Sequence, residues 1–300
     1  MLKVALATYA KLPDLSEDDG LLREELRRRG VDARPVVWND PGVAWAAFDR
    51  VVIRSAWDYH LFLPEFLVWL DLLEKQRIPL WNPAALVRVN ASKLYLRDLA
   101  SAGLRVAPTE WIERGSEVDL AGLLESRGWA EAVVKPAVSA SAFRTWRVAA
   151  ADFSRSASRD AFRRLAAEGD VLVQRFLPEV QSEGEWSFVF LGGEFSHAVL
   201  KQPAPGDFRV QEEFGGRVVA AAPAASALRE ARAFATQVRG PWAFARIDGV
   251  VVDGTLCLME VELIEPQLFL GRDPHAAARL ADAVLAPAEP TLPPAATPPV

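Results

Sequence analysis

Residues 244–263 read FARIDGVVVDGTLCLMEVEL, two apolar runs meeting at Asp253-Gly254. A dipeptide of that kind between β-prone segments reads as a hairpin turn. Glu260 and Glu262 stand two apart in the second run. Carboxylates are rarely buried without compensation. Side chains alternate along a strand, so the two glutamates share a face roughly 6–7 Å apart. Leu256 and Leu258 fall on that face as well, with Met259, Val261 and Leu263 on the other. The first run puts Phe244, Arg246 and Asp248 on one face and Ala245 and Ile247 on the other.

Whether the two polar clusters meet depends on the turn. A two-residue turn pairs Val252 with Thr255 and sets Asp248 opposite Met259, on the wrong face. A three-residue loop with a left-handed glycine changes the parity. The expectation is the three-residue loop, because the alternative buries Arg246 and Asp248 on the apolar side. Asp248, Glu260 and Glu262 then form one acidic patch, which needs cations to hold it. Two readings stay open at this point: Mg²⁺ completed by phosphate oxygens, or an ion-pair network with Arg246. Glu265 lies beyond the strand end beside Pro266, on the opposite parity, and reads as a substrate-side or structural residue.

The rest of the chain sets the frame. Its 300 residues exceed one ordinary core, which favours two or three domains. Hydrophobic residues make up 51% and charged residues 25%, as in a soluble globular protein. A net charge of −6 argues against a general nucleic-acid binder, which needs a basic face. Cys257 is the sole cysteine, so no disulfide framework or cysteine zinc site is expected. No run reaches the roughly 18 apolar residues of a membrane helix, and the N-terminus reads as a strand rather than a signal peptide. The chain reads as cytoplasmic, with a homo-oligomer left open.

Residues 1–85 alternate strand and helix (KVALATY, SEDDGLLREELRRRG, ARPVVW, FDRVVIRS, LPEFLVWLDLLEKQR, IPLWNP), the pattern of an open parallel sheet. Ser16 caps the first helix and Gly30 stops it. No G-x-G-x-x-G follows the first strand, so the dinucleotide fingerprint is absent. In 86–178 a helix over 90–103, opened by Asn90 and closed by Gly103, precedes AEAVVKPA, a charged helix at 158–168 and the strand DVLVQRFLP. Residues 179–285 hold a hairpin around Gly192-Gly193, a helix over 228–238 and the quoted hairpin. The tail 286–300, APAEPTLPPAATPPV, is too rich in proline to join a core.

Basic residues punctuate the chain. Lys93 sits in the helix over 90–103, and Lys135 ends the strand AEAVV before Pro136. The small-residue run SASA at 139–142, with Ser139 and Ser141, lets backbone N–H groups approach an anion. VLVQRFLPEV, with Gln174, Arg175, Phe176 and Leu177, reads by itself either as a plain inter-domain connection or as a segment offering backbone groups and an apolar wall to a flat heterocycle. PGDFRVQEEFGG at 205–216 carries Arg209, which by itself reads either as an ordinary surface arginine or as a group able to stabilise developing charge.

In their order along the chain these segments resemble the ATP-grasp superfamily, in particular the bacterial glutathione synthetases, the ribosomal-protein glutamate ligases and the O-ureidoserine cyclo-ligases. NASK and VVKP resemble the two phosphate-binding lysine motifs, LVQRFLP the adenine hinge, EGEWSFVF the acidic ribose stretch, GDFRVQEEFGG the arginine loop, and ARIDGV with MEVE the metal-binding strand pair. The resemblance implies an α/β ATP-grasp fold with an N-terminal Rossmann-like parallel sheet, a small α+β lid and a C-terminal antiparallel-sheet subdomain. It implies ATP and two Mg²⁺ ions, with Asp248, Glu260 and Glu262 as metal ligands. Lys93, Lys135, Ser139, Ser141, Gln174, Arg175, Phe176, Leu177, Glu183, Glu185 and Lys201 would bind nucleotide, and Arg209, Arg246 and Lys135 would serve catalysis. Two departures stand out: the loop after Lys135 is Ser/Ala-rich where the family is often glycine-rich, and many members carry asparagine where this chain has Glu262.

The implied chemistry is ADP-forming ligation of a carboxylate to a nitrogen through an acyl phosphate, on a small amino-acid-like substrate. VVIRSAWDYH ends the third strand, where open α/β sheets bind ligands. Arg54 would hold a carboxylate there, with Ser55, Trp57, Asp58 and Tyr59 shaping the pocket and Glu265 nearby. The structural alternative is an Arg54–Asp58 ion pair beside buried aromatics. His60 is a weaker candidate, and His197 and His275 form no metal motif.

Overall fold

The computed structural model describes residues 1–149, 156–219 and 221–287. All but the first two residues of the Pro-rich tail therefore lie outside the described residues.

The chain opens with β1 (Lys3–Thr8), α1 (Glu17–Arg28), β2 (Asp32–Val37), β3 (Arg50–Ser55), α2 (Leu63–Lys75) and β4 (Leu80–Trp81). The strands pair in parallel in the order β2-β1-β3-β4. Val4, Ala5, Leu6 and Ala7 are all buried, as expected for a parallel strand covered on both faces. Ser16 caps α1 by accepting from the Asp19 N–H at 3.1 Å, and Glu17, Asp18 and Asp19 complement the positive end of the helix dipole.

Of the expected helix over 90–103 only α4 (Tyr95–Ser101) forms, preceded by a separate helix α3 (Ala84–Asn90). Asn90 ends a helix rather than opening one. Its side chain is engaged elsewhere, donating to the Val261 carbonyl and accepting from the Leu263 N–H. Lys93 lies in the turn between the helices, its N–H bound to the Ala137 carbonyl at 2.8 Å. Gly103 closes the unit with φ of +83°.

Next come β5 (Thr109–Ile112), α5 (Leu120–Arg127), β6 (Glu131–Pro136), β7 (Trp146–Ala149), α6 (Ser156–Glu168) and β8 (Val171–Arg175). They form an antiparallel sheet in the order β5-β8-β6-β7. The last part contains α7 (Glu179–Ser182), β9 (Glu185–Leu191), β10 (Glu194–Gln202), β11 (Arg217–Val219), α8 (Ala225–Ala235), β12 (Phe244–Val252), β13 (Thr255–Glu262) and α9 (Ala276–Leu285). Its antiparallel sheet runs β11-β10-β9-β12-β13. One core joins Leu22 and Leu26 of α1 to Leu280 and Val284 of α9 and to Val189 and Phe244 of this sheet. The first and last parts of the chain are thus packed together.

The β12–β13 turn differs from expectation. Asp253 and Gly254 have φ of +53° and +74°, and Val252 pairs directly with Thr255. This is a tight two-residue turn, whose left-handed residues match the strand twist. The parity changes further along. Gly249 pairs with Leu258 but Asp248 pairs with Glu260, which leaves Met259 as the extra residue of a β-bulge. A Cβ on Gly249 would sit 2.7 Å from the Cys257 carbonyl oxygen, so the bulge closes over a bare backbone. Beyond the bulge Asp248 faces Glu260 and Arg246 faces Glu262. Leu256 and Leu258 do not share the acidic face; they pack in the core with Ile247, Val261 and Leu263.

Candidate active site

A cavity of about 380 Å³ opens where the three sheets meet. The acidic face of β12–β13 forms one wall. Asp248 is 2% exposed; it accepts from the Ser187 hydroxyl at 2.7 Å, from Lys201 Nζ at 3.1 Å and from Arg246 Nη2 at 2.9 Å. Arg246 also binds Glu262 and the Gln267 carbonyl. Glu260 pairs with Lys93 Nζ at 2.8 Å, and Lys93 donates to the Ser139 carbonyl at 2.6 Å. Glu185 pairs with Lys201 at 2.6 Å. Lys135 Nζ lies 3.3 Å from Gln174 Oε1, and Gln174 donates in turn to Thr109.

These pairs set the charge states. Burial alone would raise the Asp248 carboxyl, but Arg246 and Lys201 hold it below the usual carboxylate range. Burial pushes Glu262 up to about 7 against the pull of Arg246, with Asp248 and Glu260 adding to the rise. Burial pushes Glu265 up to about 8, with Glu262 adding to the rise and Lys93 opposing it. Burial would lower Lys93, yet the Glu260 charge raises it. Lys135 has no such partner among the described residues and is lowered, first by burial, with Lys93 adding to the shift against Glu260 and Glu185. An amine held this way gains from any anion that reaches it.

The opposite wall is apolar. Phe176, Leu177, Val180, Phe208, Val210 and Met259 line it. Phe176 meets Phe208 edge-on at 6.3 Å, with the Arg147 guanidinium 3.8 Å over its ring. Only Phe176 and Leu177 of this slot were legible beforehand; Phe208 and Met259 join it through a loop and a bulge that no pattern announces. Arg209 borders the cavity, held by Asp207 at 2.7 Å and lying 3.7 Å over the Phe214 ring. Arg175, Ser139 and Ser141 line it too.

Some sequence candidates sit elsewhere. Glu183 is exposed at the end of α7, outside the cavity. Arg54, Ser55 and Asp58 do not line it either. Arg54 is fully buried and pairs with Asp19 at 2.7 Å, not with Asp58. Ser55 donates to the same Asp19 at 2.5 Å, and Asp58 accepts from Trp38. The helix cap at Ser16 turns Asp19 inward, so Arg54 finds its counter-ion 35 residues back rather than four ahead. Trp57, Tyr59 and Glu265 do face the cavity.

Among the described residues no group of three acidic, histidine or cysteine side chains closes into a cage. Asp248, Glu260 and Glu262 offer hard oxygens on one face, each paired with a lysine or arginine. That suits a cation drawing its remaining ligands from a phosphate chain. No helix among the described residues is long and apolar enough to cross a membrane.

Known proteins share this fold over nearly their whole length. Residues 4–82 match the family described as the N-terminal domain of D-cycloserine synthetase DcsG. The chain is 31% identical over 300 aligned residues to the cycloserine biosynthesis protein DcsG of Streptomyces lavendulae, with 94% of this chain and 97% of that one covered. The crystal structure of D-cycloserine synthetase DcsG superposes with a TM-score of 0.81 at 30% identity, covering 94% of this chain and 98% of that one. A RimK domain ATP-grasp protein from Sphaerobacter thermophilus shares the fold at 21% identity and TM-score 0.70, with 95% and 100% covered. So does the D-alanine–D-alanine ligase of Bacillus anthracis complexed with ATP, at 15% identity and TM-score 0.66, with 95% and 96% covered.

Proposed function

The chain belongs to the DcsG family of ATP-grasp ligases, and we propose that it is an ADP-forming carboxylate–amine ligase that closes a ring on a small amino-acid derivative of the O-ureidoserine kind. The observation that carries this reading is the convergence of Lys93, Lys135, Asp248, Glu260 and Glu262, from separate parts of the chain, on one cavity beside an apolar slot.

In this reading the adenine ring of ATP lies in the slot against Phe176, Leu177 and Phe208, and the triphosphate runs toward Lys93, Lys135 and Arg209. Asp248, Glu260 and Glu262 would hold Mg²⁺, two ions in the fullest form, which neutralises phosphate charge and fixes the chain for in-line transfer. The γ-phosphoryl group passes to a substrate carboxylate oxygen, releasing ADP. A nitrogen lone pair of the same molecule then attacks the acyl carbon. The carbon–nitrogen bond forms, the carbon–oxygen bond to phosphate breaks, and inorganic phosphate leaves while the nitrogen gives up its proton to solvent.

The protein's share is positioning and charge compensation rather than covalent participation. Lys93, now paired with Glu260, would turn to phosphate and Glu260 would hold the metal, so that neither buried charge is stranded. Lys135, short of a counter-ion, gains most from the phosphates. Arg246 stays with Asp248 and Glu262 and keeps the carboxylates from repelling one another.

The test is ADP release from O-ureidoserine with no second amine present. Turnover with one substrate supports ring closure. Turnover only when a separate amine is added makes the enzyme an intermolecular ligase. Binding of Mg·ATP without ADP release across a broad amino-acid panel refutes the catalytic reading.

A further inference from the structure

Residues 265–268 cross the floor of the cavity as a strap whose four consecutive carbonyls are each held by a different side chain. Trp57 Nε1 donates to the Glu265 carbonyl at 3.1 Å. Arg54 Nη2 donates to that of Pro266 at 2.7 Å, and Arg246 Nη1 to that of Gln267 at 2.9 Å. His197 Nε2 lies 2.9 Å from the Leu268 carbonyl oxygen. Asp18 adds a fifth tie by accepting from the Leu268 N–H at 3.2 Å. Irregular backbone secured residue by residue in this way carries its side chains in a fixed direction.

The side chain so presented is Glu265, which faces the cavity on the side of Trp57 and Tyr59. It differs from its acidic neighbours. Asp248 is held by Arg246 and Lys201, Glu260 by Lys93, Glu262 by Arg246 and Glu185 by Lys201. Among the described residues the Glu265 carboxylate meets no cationic side chain within ion-pair distance and no hydrogen-bond donor from another residue. A rigidly placed, half-buried carboxylate without a cation is completed by a ligand that brings one.

We infer that the Glu265 carboxylate receives the protonated amino group of the acid being activated, and that Arg54 and Trp57 are positioning residues acting on it through the strap. The inference rests on the ligase reading for its substrate. It adds the residue that reads the free α-ammonium of such a substrate and so discriminates against an N-acylated or hydroxy acid. It also accounts for a buried arginine that reaches no ligand. Arg54 is fixed by Asp19 and by the Phe244 ring 4.6 Å away, and it transmits that fixity to the Pro266 carbonyl.

The test titrates O-ureidoserine and its 2-hydroxy counterpart into the full-length protein by calorimetry, with Mg²⁺ and a non-hydrolysable ATP analogue present, and follows ADP release separately. The wild type should prefer the amino compound by roughly 10- to 100-fold, the worth of a hydrogen bond to a charged group. Glu265→Gln should lose that preference while binding the ATP analogue as before. Glu265→Asp should keep the preference in weaker form. Trp57→Phe, which removes the N–H donor along with the five-membered ring but keeps an aromatic side chain, should raise KM for the amino compound several-fold with kcat little changed. A Glu265→Gln protein that still prefers the amino compound overturns the inference. So does one that loses kcat equally on both compounds at unchanged KM, which would make Glu265 a proton carrier. If the glutamine variant fails to fold, an unchanged KM in Trp57→Phe together with an undiminished amino preference in Glu265→Asp overturns it as well. Preferential binding without ADP release removes the ligase reading and leaves this assignment standing; ADP release with the preference intact in Glu265→Gln does the reverse.

Discussion

Gly249→Ala would place a methyl group 2.7 Å from the Cys257 carbonyl oxygen and 2.9 Å from Leu256 Cδ1. Ordinary contact begins near 3.4 Å, so one backbone must yield by about 0.7 Å, and the carbonyl cannot swing aside as a side chain can. Overpacking of this kind costs about 1–3 kcal/mol. Scaled by the unfolding entropy of a 300-residue chain, that lowers Tm by about 2–5 °C. The larger effect falls on the site. Gly249 adjoins the bulge that turns Asp248 toward Glu260, and a misplacement near 1 Å can cost about 10²-fold in rate. The assay is a calorimetric melt alongside ADP-release kinetics across a divalent-cation titration. Gly254→Asn is the control: it lies in the same hairpin at φ +74° with open space around its Cα, and asparagine tolerates that conformation. Gly254→Asn should keep wild-type turnover. The reasoning is refuted if Gly249→Ala keeps both the wild-type Tm and rate, or if Gly254→Asn loses as much activity.

Asp19→Asn keeps the shape but strands the Arg54 guanidinium, whose side chain is fully buried against a partner only 3% exposed; a loss of about 3–5 kcal/mol is expected, read as a Tm lower by about 5–8 °C. Removing both charges, in Asp19→Asn with Arg54→Met, should cost less than the sum of the two single changes. Glu260→Gln should keep the fold, with a lower Tm because it removes the counter-ion of the buried Lys93, and reduce ADP release by at least about 10²-fold, measured at saturating Mg·ATP. His197 is held below its usual range, first by burial. The unfolded chain therefore takes up the proton more readily, and the contribution is present above about pH 6.5 and lost as pH falls through the lowered folded value. Tm should decline on acidification from neutral pH, and less steeply in His197→Gln.

Much was legible in the chain by itself because it depends on near neighbours. The alternation of VALA and VVIRS with amphipathic helices, the Ser16 cap, the Gly192-Gly193 turn and the order of Lys93, Lys135 and the acidic hairpin are local patterns, and local patterns follow from backbone sterics and side-chain period. Tertiary structure decided what depends on partners far along the chain. Asn90 left its expected capping role because β13 offered it two backbone partners. Arg54 turned from a substrate ligand into a buried tie because α1 delivers Asp19 to it and the strap delivers Pro266. Asp248 and Glu260 share a face as expected, but through a bulge at Met259 and not a longer turn. Sequence period carries no mark of an inserted residue whose only signature is a glycine where two backbones touch. Local period chose which residues were able to meet; long-range packing and one unpaired residue in a ladder decided which of them do.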